Sequence, residues 1–306
     1  MNPSFVHQAY CGAVLLGHLD KLKKNSQMVA ISSSEVEDLH RARVATRRIR
    51  SVLAVMSGVF STDDIRGWSR DMRDYGRDLG QARDLDVRLQ FISQELKDQE
   101  GDRGLARLHL RLAQERSRIE PRMVEKAQAC LGWDIWDQAA KKLKPIIGQY
   151  RLEEPPFPDK IVSGHVKKLV LKVAGNDLFV KRGYDRGAWH GLRKDCKRLR
   201  YTLELYDDPM GAPFGRWLKV LKEIQDKLGE IHDMDLWIEA LPAFTQEELD
   251  RTVAFFGHAR GFNPVASGVE GLCQRLRERL DREVDLFIPY WDGLVQDKTW
   301  SDLINR

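Results

Sequence analysis

Apolar residues recur at intervals of three and four along most of the chain, which is the spacing of one face of an α-helix. Leu, Ala, Arg, Lys, Glu and Gln, all good helix formers, dominate these stretches, and sustained runs of alternating β-branched residues are missing. The pattern therefore predicts an all-α protein. Gly, Pro and Asp interrupt it at four places, where we expect breaks between helices: 99–104, 151–159, 207–215 and 257–268.

The two halves of the chain repeat each other. The segment from His40 to Arg50 aligns with the segment from His190 to Arg200 at an offset of 150, so that the histidine and four basic positions recur, with one Arg replaced by Lys. A Leu-Gly-x-x-x-Asp-x-Asp block at residues 79–86 recurs at residues 228–235, at an offset of 149. Two blocks in the same order at nearly the same offset indicate a tandem helical repeat.

Three prolines near the midpoint predict a stiff, extended connector between the halves. We therefore expect a first helical bundle at residues 1–150, the connector at 151–159 and a second bundle at 160–306. Because the halves share their motifs, the two bundles are expected to be pseudo-symmetric.

The basic segment of the first half forms one stripe on a predicted helix. At about 100° per residue, the four residues of the stripe fall within an arc of roughly 80° and extend over about 15 Å. These residues are His40, Arg43, Arg47 and Arg50. Small and apolar residues on the other side predict the buried face of the helix: Ala42, Ala45, Ile49, Val52, Leu53 and Met56.

The second half repeats this stripe with His190, Arg193, Lys197 and Arg200. No Asp or Glu occurs from residue 39 to residue 62, and Asp195 is the acid nearest to the second stripe in the sequence. Like charges repel along such a stripe, so we expect both stripes to lack acidic partners from the protein itself and to bind an external anion. The planar guanidinium of Arg suits bidentate contacts with phosphate oxygens.

Three further expectations concern residues in the stripes or beside them. The histidines should be neutral among the cations and should take up protons when a polyanion binds, so that binding tightens as the pH falls. Arg48 and Arg198 lie off the stripes and are expected to pair with carboxylates on neighbouring helices. Asp84 and Asp233 occupy matched positions and are expected to orient the stripe arginines.

Two other sets of basic residues are typical of solvated helix faces, although they are also candidates for additional ligand contacts. One set consists of Arg70, Arg73 and Arg77, with Lys219 and Lys222 in the repeat. The other consists of Arg107, Arg111 and Arg118, with a loose parallel in Arg275, Arg279 and Arg282.

The paired aspartates of the Leu-Gly blocks raise the question of a metal site. Side chains two residues apart on a helix point about 200° apart, so the two carboxylates cannot converge on one ion. We expect them to pair with arginines on neighbouring helices instead. The tryptophans are spaced for helix packing, and core positions are a better interpretation of them than base stacking.

Composition narrows the class of protein. Hydrophobic residues make up 42% of the chain and charged residues 31%, which is typical of a globular protein and excludes a mostly disordered chain. The net charge of +4 is small, so the placement of the positive charge matters more than its total. No apolar run approaches the roughly 20 residues of a membrane span, and four widely spaced cysteines form no CxxC pair. We expect a cytoplasmic protein with reduced thiols, no membrane partner and no zinc site.

The duplicated Leu-His-x-x-Arg and Trp-His-x-x-Arg segments, each followed by its Leu-Gly-x-x-x-Asp-x-Asp block, resemble the CHAD domain (conserved histidine α-helical domain) over roughly residues 5–292. The resemblance implies two pseudo-symmetric helical bundles that enclose a basic groove or pore for long-chain inorganic polyphosphate, and an association with polyphosphate granules. It implies ligand contacts from the two stripes. Many relatives also carry a CYTH-type triphosphate tunnel with a Glu-x-Glu-x-Lys signature, whereas Glu35-Val-Glu37-Asp-Leu39 lacks the Lys. A stand-alone CHAD domain is the resulting expectation.

Other functions are less well supported by the sequence. It contains no GxxxxGK[ST] loop, GxSxG elbow or HExxH helix, so we expect neither catalytic residues nor a cofactor. Nucleic acid is an unlikely partner because RNP-type aromatic motifs, paired zinc ligands and a basic leucine zipper are missing. A nucleic-acid-binding protein and a polyphosphate or triphosphate hydrolase remain the alternatives, and a scaffold that docks an acidic protein tail would use the same stripes.

Overall fold

The computed structural model describes residues 3–31, 36–56, 59–149, 159–207 and 213–305. These residues form helices joined by turns and contain no strand, so the prediction of an all-α protein is confirmed. The helices are α1 (Pro3–Ile31), α2 (Val36–Leu53), α3 (Thr62–Asp98), α4 (Arg103–Leu131), α5 (Ile135–Gly148), α6 (Asp159–Ala174), α7 (Asp177–Lys181), α8 (Arg186–Asp207), α9 (Gly215–Phe256), α10 (Asn263–Gln296) and α11 (Thr299–Ile304).

Three of the four predicted breaks coincide with helix ends. The break at 99–104 separates α3 from α4, and the break at 207–215 separates α8 from α9. The break at 257–268 contains the turn between α9 and α10. The fourth break, 151–159, lies outside the described residues except for Asp159, where α6 begins. The sequence pattern missed the shorter breaks after α2, α4, α6 and α7.

The chain forms two compact units. The first consists of Met1–Phe91 and Arg111–Pro158, and the second of Ile92–Leu110 and Asp159–Arg306. The change of unit after Pro158 falls within the predicted connector. Residues 92–110, which the sequence analysis assigned to the first bundle, group with the second unit instead.

In the first unit, α2 buries the face that its sequence pattern predicts. All six of the predicted residues are buried. Helix α3 approaches α2 closely at two glycines one turn apart, because a methyl group on Gly76 would lie 2.8 Å from Oγ1 of Thr46 and one on Gly80 would lie 3.5 Å from Nε of Arg43. A larger residue at Gly76 would therefore push the two helices apart, whereas a methyl group on Gly80, the glycine of the Leu-Gly block, would be in ordinary van der Waals contact with Arg43.

In the second unit, tryptophans form much of the core. Trp189, Trp217, Trp291 and Trp300 are buried, as are Trp68 in the first unit and Trp237 in the second, which confirms the packing role predicted for them. The indole N–H of Trp217 donates to the carbonyl oxygen of Thr299 (2.9 Å). The indole N–H of Trp291 donates to a carboxylate oxygen of Asp177 (3.1 Å), so these buried polar groups are satisfied.

The turn between α3 and α4 is held within the second unit by ion pairs. The buried carboxylate of Glu95 accepts hydrogen bonds from Arg275 (3.2 Å) and Arg279 (3.0 Å). The buried carboxylate of Glu248 accepts one from Arg107 (3.2 Å). Each of these three arginines therefore neutralises a buried acid, a role that the sequence analysis did not assign to them.

The four cysteines are buried free thiols. Burial raises the pKa of the Cys11 and Cys130 thiols to about 12, which keeps them protonated and unreactive at neutral pH. Over the described parts of the chain, no helix combines the length and the apolar character that crossing a membrane requires.

Candidate functional site

The first basic stripe lies on α2, on the side away from its buried face, and is called the α2 surface: His40, Arg43, Arg47 and Arg50. His40 and Arg50 are exposed, whereas Arg43 and Arg47 are half-buried. Half-burial matters because a partly desolvated cation attracts an anion more strongly than one that is fully hydrated.

Arg43 is positioned by α3. Its guanidinium lies over Gly80, where a methyl group would be in van der Waals contact with Nε at 3.5 Å, and its Nη1 is 3.5 Å from a carboxylate oxygen of Asp84. This is the contact expected of Asp84. Because the side chain of Asp84 is 62% exposed, the pair is open to water and screened, and an anion can compete for the guanidinium.

The environment of His40 is electropositive. Partial burial, followed by the nearby charges of Arg83, Arg47 and Arg43, lowers its pKa, while Glu37 acts in the opposite direction. His40 is thus neutral near pH 7, as predicted. Arg83 of α3 was not among the residues selected from the sequence, although it occupies a variable position of the Leu-Gly block directly before Asp84.

The second stripe lies on α8 and is called the α8 surface: His190, Arg193, Lys197 and Arg200. All four residues are half-buried. Arg193 lies beside Gly229 of α9: a methyl group added to Gly229 would be 3.8 Å from Nη2 of Arg193. Gly229 is the repeat equivalent of Gly80, so in each unit the first stripe arginine lies against the glycine of the Leu-Gly block.

At one end of the α8 surface, two histidine rings face each other. The ring centroids of His190 and His232 are 4.9 Å apart, and both rings line a small pocket with Tyr184, Arg186 and Arg193. Within the described part of the chain, the buried Nδ1 of His190 has no hydrogen-bond partner. His232 is the repeat equivalent of Arg83, so a cationic or titratable group lies beside the stripe histidine in both units.

Both of these histidines are held in their neutral form. Burial lowers the pKa of His190, and the charges of Lys194, Arg193, Lys197 and Arg186 lower it further. Burial likewise lowers the pKa of His232 to about 4, with contributions from Arg193, His190 and Lys197 that exceed the opposing effect of Asp235. The pocket end of the α8 surface therefore presents neutral rings that a bound anion would favour protonating.

The CHAD domain family model matches residues 13–242 of this chain. The chain belongs to the CHAD domain family. The crystal structure of the CHAD domain from the plant Ricinus communis is similar to it with a TM-score of 0.57 and 20% identity, covering 87% of this chain and 91% of that chain. PptA from Streptomyces chartreusis has a TM-score of 0.57 and 16% identity, covering 92% and 99%. At these identities the likeness shows a shared fold. A comparison with curated proteins finds no match.

Two residues of this CHAD domain correct the expectation that the stripes lack acidic partners. Arg43 has Asp84, as described above, and Nε of Arg200 is 3.2 Å from a carboxylate oxygen of Glu204, one turn further along α8. The sequence analysis had assigned Asp84 to a stripe arginine, whereas it overlooked Glu204, which lies just beyond the end of the second stripe. Arg198 pairs with Asp195 on its own helix (3.7 Å), not with a neighbouring helix as expected.

Arg48 lies near α1 of the CHAD domain. It is exposed, and after burial its charge is the largest cause that lowers the pKa of His18 in α1, to about 4. Its position on the side towards α1 agrees with its exclusion from the stripe.

The remaining basic residues of this CHAD domain form ordinary charged helix faces. Arg70, Arg77 and Lys222 pair with acids on their own helices, at 3.8, 3.0 and 3.6 Å from Asp71, Asp74 and Asp226. In α4, Arg118 pairs with Glu115 (3.3 Å) and Arg111 donates to Gln114 (2.9 Å). Arg73 and Lys219 are exposed, and Arg73 lines a shallow depression at the start of α3.

Three of the four aspartates of the Leu-Gly blocks contact arginines, as predicted. Asp86 accepts a hydrogen bond from Arg116 of α4 at 2.8 Å, and Asp235 lies 2.7 Å from Arg186 at the start of α8. Asp84 faces Arg43, so the two aspartates of the first block point to different partners. The described residues contain no group of three or more His, Cys, Asp or Glu side chains that is suited to a metal ion.

Proposed function

We propose that this CHAD domain binds inorganic polyphosphate through the α2 and α8 surfaces and does not hydrolyse it. The observation that carries the proposal is the duplicated geometry of the two surfaces: an arginine lying against the glycine of the Leu-Gly block, a histidine three residues before it, and further cations along the same helix face. Family membership supports the same ligand class. A protein of this kind is expected to collect wherever cells store the polymer, including polyphosphate granules.

A linear polyanion fits these surfaces better than a compact anion does. Each surface extends over about 15 Å of helix, so its cations lie along a row. A flexible phosphate chain, with about one charge per unit, is able to contact the whole row and release counterions from each contact. Short phosphate oligomers would contact fewer cations and bind more weakly.

Salt dependence and competition test this proposal. By analogy with nucleic acids, a ligand that makes six to ten phosphate contacts loses about 10³- to 10⁵-fold in affinity between about 50 and 200 mM salt. We expect a loss of this order for long-chain polyphosphate, measured by fluorescence anisotropy with an end-labelled polymer. Displacement of the polymer by duplex DNA or RNA at equal phosphate concentration would instead support a nucleic-acid-binding protein.

Lack of hydrolysis is tested with Mg²⁺. Asp86 and Asp235 of the Leu-Gly blocks are in ion pairs with arginines. A two-metal phosphatase needs several convergent carboxylates, so no orthophosphate should appear when the protein is incubated with polyphosphate and Mg²⁺. Release of orthophosphate that follows protein concentration would overturn the non-catalytic proposal.

The lowered histidine pKa values predict that binding tightens as the pH falls. In the free protein His40, His190 and His232 are neutral near pH 7, and a bound polyanion raises the pKa of each. Binding therefore takes up protons, and the affinity for long-chain polyphosphate should rise between about pH 8 and pH 6, by roughly a few-fold to tenfold for each histidine that titrates. The measurement needs long polymers because they have few titratable end groups, so the ligand itself contributes little to the pH dependence.

The variant His40→Gln/His190→Gln separates the histidines from other sources of pH dependence. It should flatten the rise in affinity while the salt dependence at about pH 8 stays close to that of the wild type, because neutral histidines contribute little to counterion release there. An unchanged pH profile in this variant would remove both histidines from the binding site.

A further inference from the structure

The turn between α9 and α10 exposes an aromatic pair far from the α8 surface. It is called the α9–α10 tip and consists of residues 253–261, all of which are exposed. Gly257 (φ 74°) ends α9, and Gly261 (φ 79°) precedes α10, so two left-handed glycines fix the reversal of the chain. Nine consecutive exposed residues make the tip a convex projection of the second unit.

The apolar surface of the tip is unusually large for so short a segment. The side chain of Phe255 is 81% exposed and that of Phe256 is 61% exposed, and Val253 is also exposed. The two phenylalanine rings meet edge to face with centroids 4.7 Å apart, and the ring of Phe256 stacks against His258. An ordered aromatic cluster that remains in water in the isolated chain marks an interaction surface.

The tip carries one formal positive charge, that of Arg260, and no negative charge. No Asp or Glu occurs from residue 251 to residue 269, whereas His258 and Arg260 lie directly beside the phenylalanines. Arg251, at the base of the tip, pairs with Glu247 and Glu248. On the adjoining hairpin, the carboxylate of Asp102 accepts a hydrogen bond from the backbone N–H of Leu105 (2.9 Å), so it serves as a helix cap.

We propose that the α9–α10 tip docks this protein on the surface of an anionic lipid bilayer, with Phe255 and Phe256 inserted at the headgroup level. A convex tip needs either a concave partner or a fluid one, and a bilayer interface accommodates protruding rings without a matching cavity. Aromatic side chains favour that interface, and basic residues without acids favour anionic headgroups. The contact is with the membrane surface, which is consistent with the finding that none of the described helices is suited to cross it.

The tip is separate from the α8 surface. His232 and Phe256 both belong to α9 and are 24 residues apart, which corresponds to about 36 Å along the helix. The α8 surface would therefore stay available while the tip is inserted, and the docking proposal does not depend on the proposed function.

Vesicle co-sedimentation of the full chain tests the proposal. The probes are vesicles of phosphatidylcholine alone and vesicles with roughly one third phosphatidylglycerol. We expect binding to the anionic vesicles, and at least a tenfold loss of partitioning in Phe255→Ser/Phe256→Ser. The matched control is Leu178→Ser/Phe179→Ser, which removes two exposed apolar side chains from α7 of the same unit and should leave partitioning unchanged.

Further measurements distinguish membrane docking by the tip from other modes of binding. Because the four native cysteines are buried, an environment-sensitive dye on Ala259→Cys should report insertion selectively. Saturating polyphosphate should leave vesicle binding by the tip in place, whereas its loss would assign vesicle binding to the cationic surfaces and overturn the proposal. Three other results would also overturn the docking proposal. The protein could fail to bind vesicles, or the tip could bind single-stranded oligothymidine and no vesicles. The third result is a dimer that Phe255→Ser/Phe256→Ser dissociates.

Discussion

Replacement of Arg43 and Arg193 together by Gln should weaken the binding of long-chain polyphosphate by about 10²- to 10⁴-fold at low salt. A charge-assisted hydrogen bond contributes about 1.5–3 kcal/mol, so each arginine lost costs about one to two powers of ten in affinity. The fold should be kept, because Asp84, the carboxylate that loses its partner in the first unit, is largely hydrated. Titration by fluorescence anisotropy, together with a thermal unfolding curve, measures both properties.

A control with the same change in net charge isolates the two surfaces. Arg41 on α2 and Arg216 on α9 are exposed, and each has an acid within 4.0 Å. Arg41→Gln/Arg216→Gln should therefore bind polyphosphate nearly as the wild type does. Equal losses of affinity in the two double variants would show a diffuse electrostatic attraction and contradict the proposed site.

The single variants Arg43→Gln and Arg193→Gln ask whether one polymer uses both surfaces. If it does, each single variant lowers the affinity for the long polymer while one polymer per protein still binds. If the surfaces act independently, each single variant removes about half of the strong binding and leaves the affinity of the other half unchanged. Either result is compatible with polyphosphate binding, and the two differ in the stoichiometry measured by calorimetry.

The sequence was most informative where one helix alone determines the answer. The period of 3.6 residues predicted which side of α2 is buried, because burial of an amphipathic helix follows from its own pattern. The repeat paired His40 with His190 and Arg43 with Arg193, and the equivalent contacts with Gly80 and Gly229 agree with that pairing.

Contacts between helices that are far apart in the sequence were beyond the reach of the same reasoning. Glu95 and Arg275 are 180 residues apart in the sequence, so the assignment of residues 92–110 to the second unit had no local signal. Arg83 and His232 were missed because the variable positions of the Leu-Gly block carry different side chains in the two halves. Phe255 and Phe256 resemble core residues in the sequence, and only the structure shows that they are exposed.

Replacement by Ala of the two aspartates of the first Leu-Gly block should lower the stability by very different amounts. Asp86→Ala should lower the free energy of unfolding by about 3–5 kcal/mol, because it removes a closely placed carboxylate partner from the buried Arg116. The side chains of this pair are only 10% and 8% exposed, and Nε of Arg116 is 2.8 Å from Oδ1 of Asp86. Asp84→Ala breaks a solvent-exposed pair and should cost less than about 1 kcal/mol.

Polyphosphate affinity should not follow the losses of stability in these two variants. Asp84→Ala removes an anion that competes for Arg43, so the affinity should stay equal or rise, whereas folded Asp86→Ala should bind as the wild type does when measured well below its unfolding temperature. Because the two residues are two positions apart in one motif and of the same type, their chemistry alone cannot produce this difference. A large loss of binding in Asp84→Ala with unchanged stability would mean that Asp84 contributes to the ligand site directly, through a bridging cation, and not by orienting Arg43.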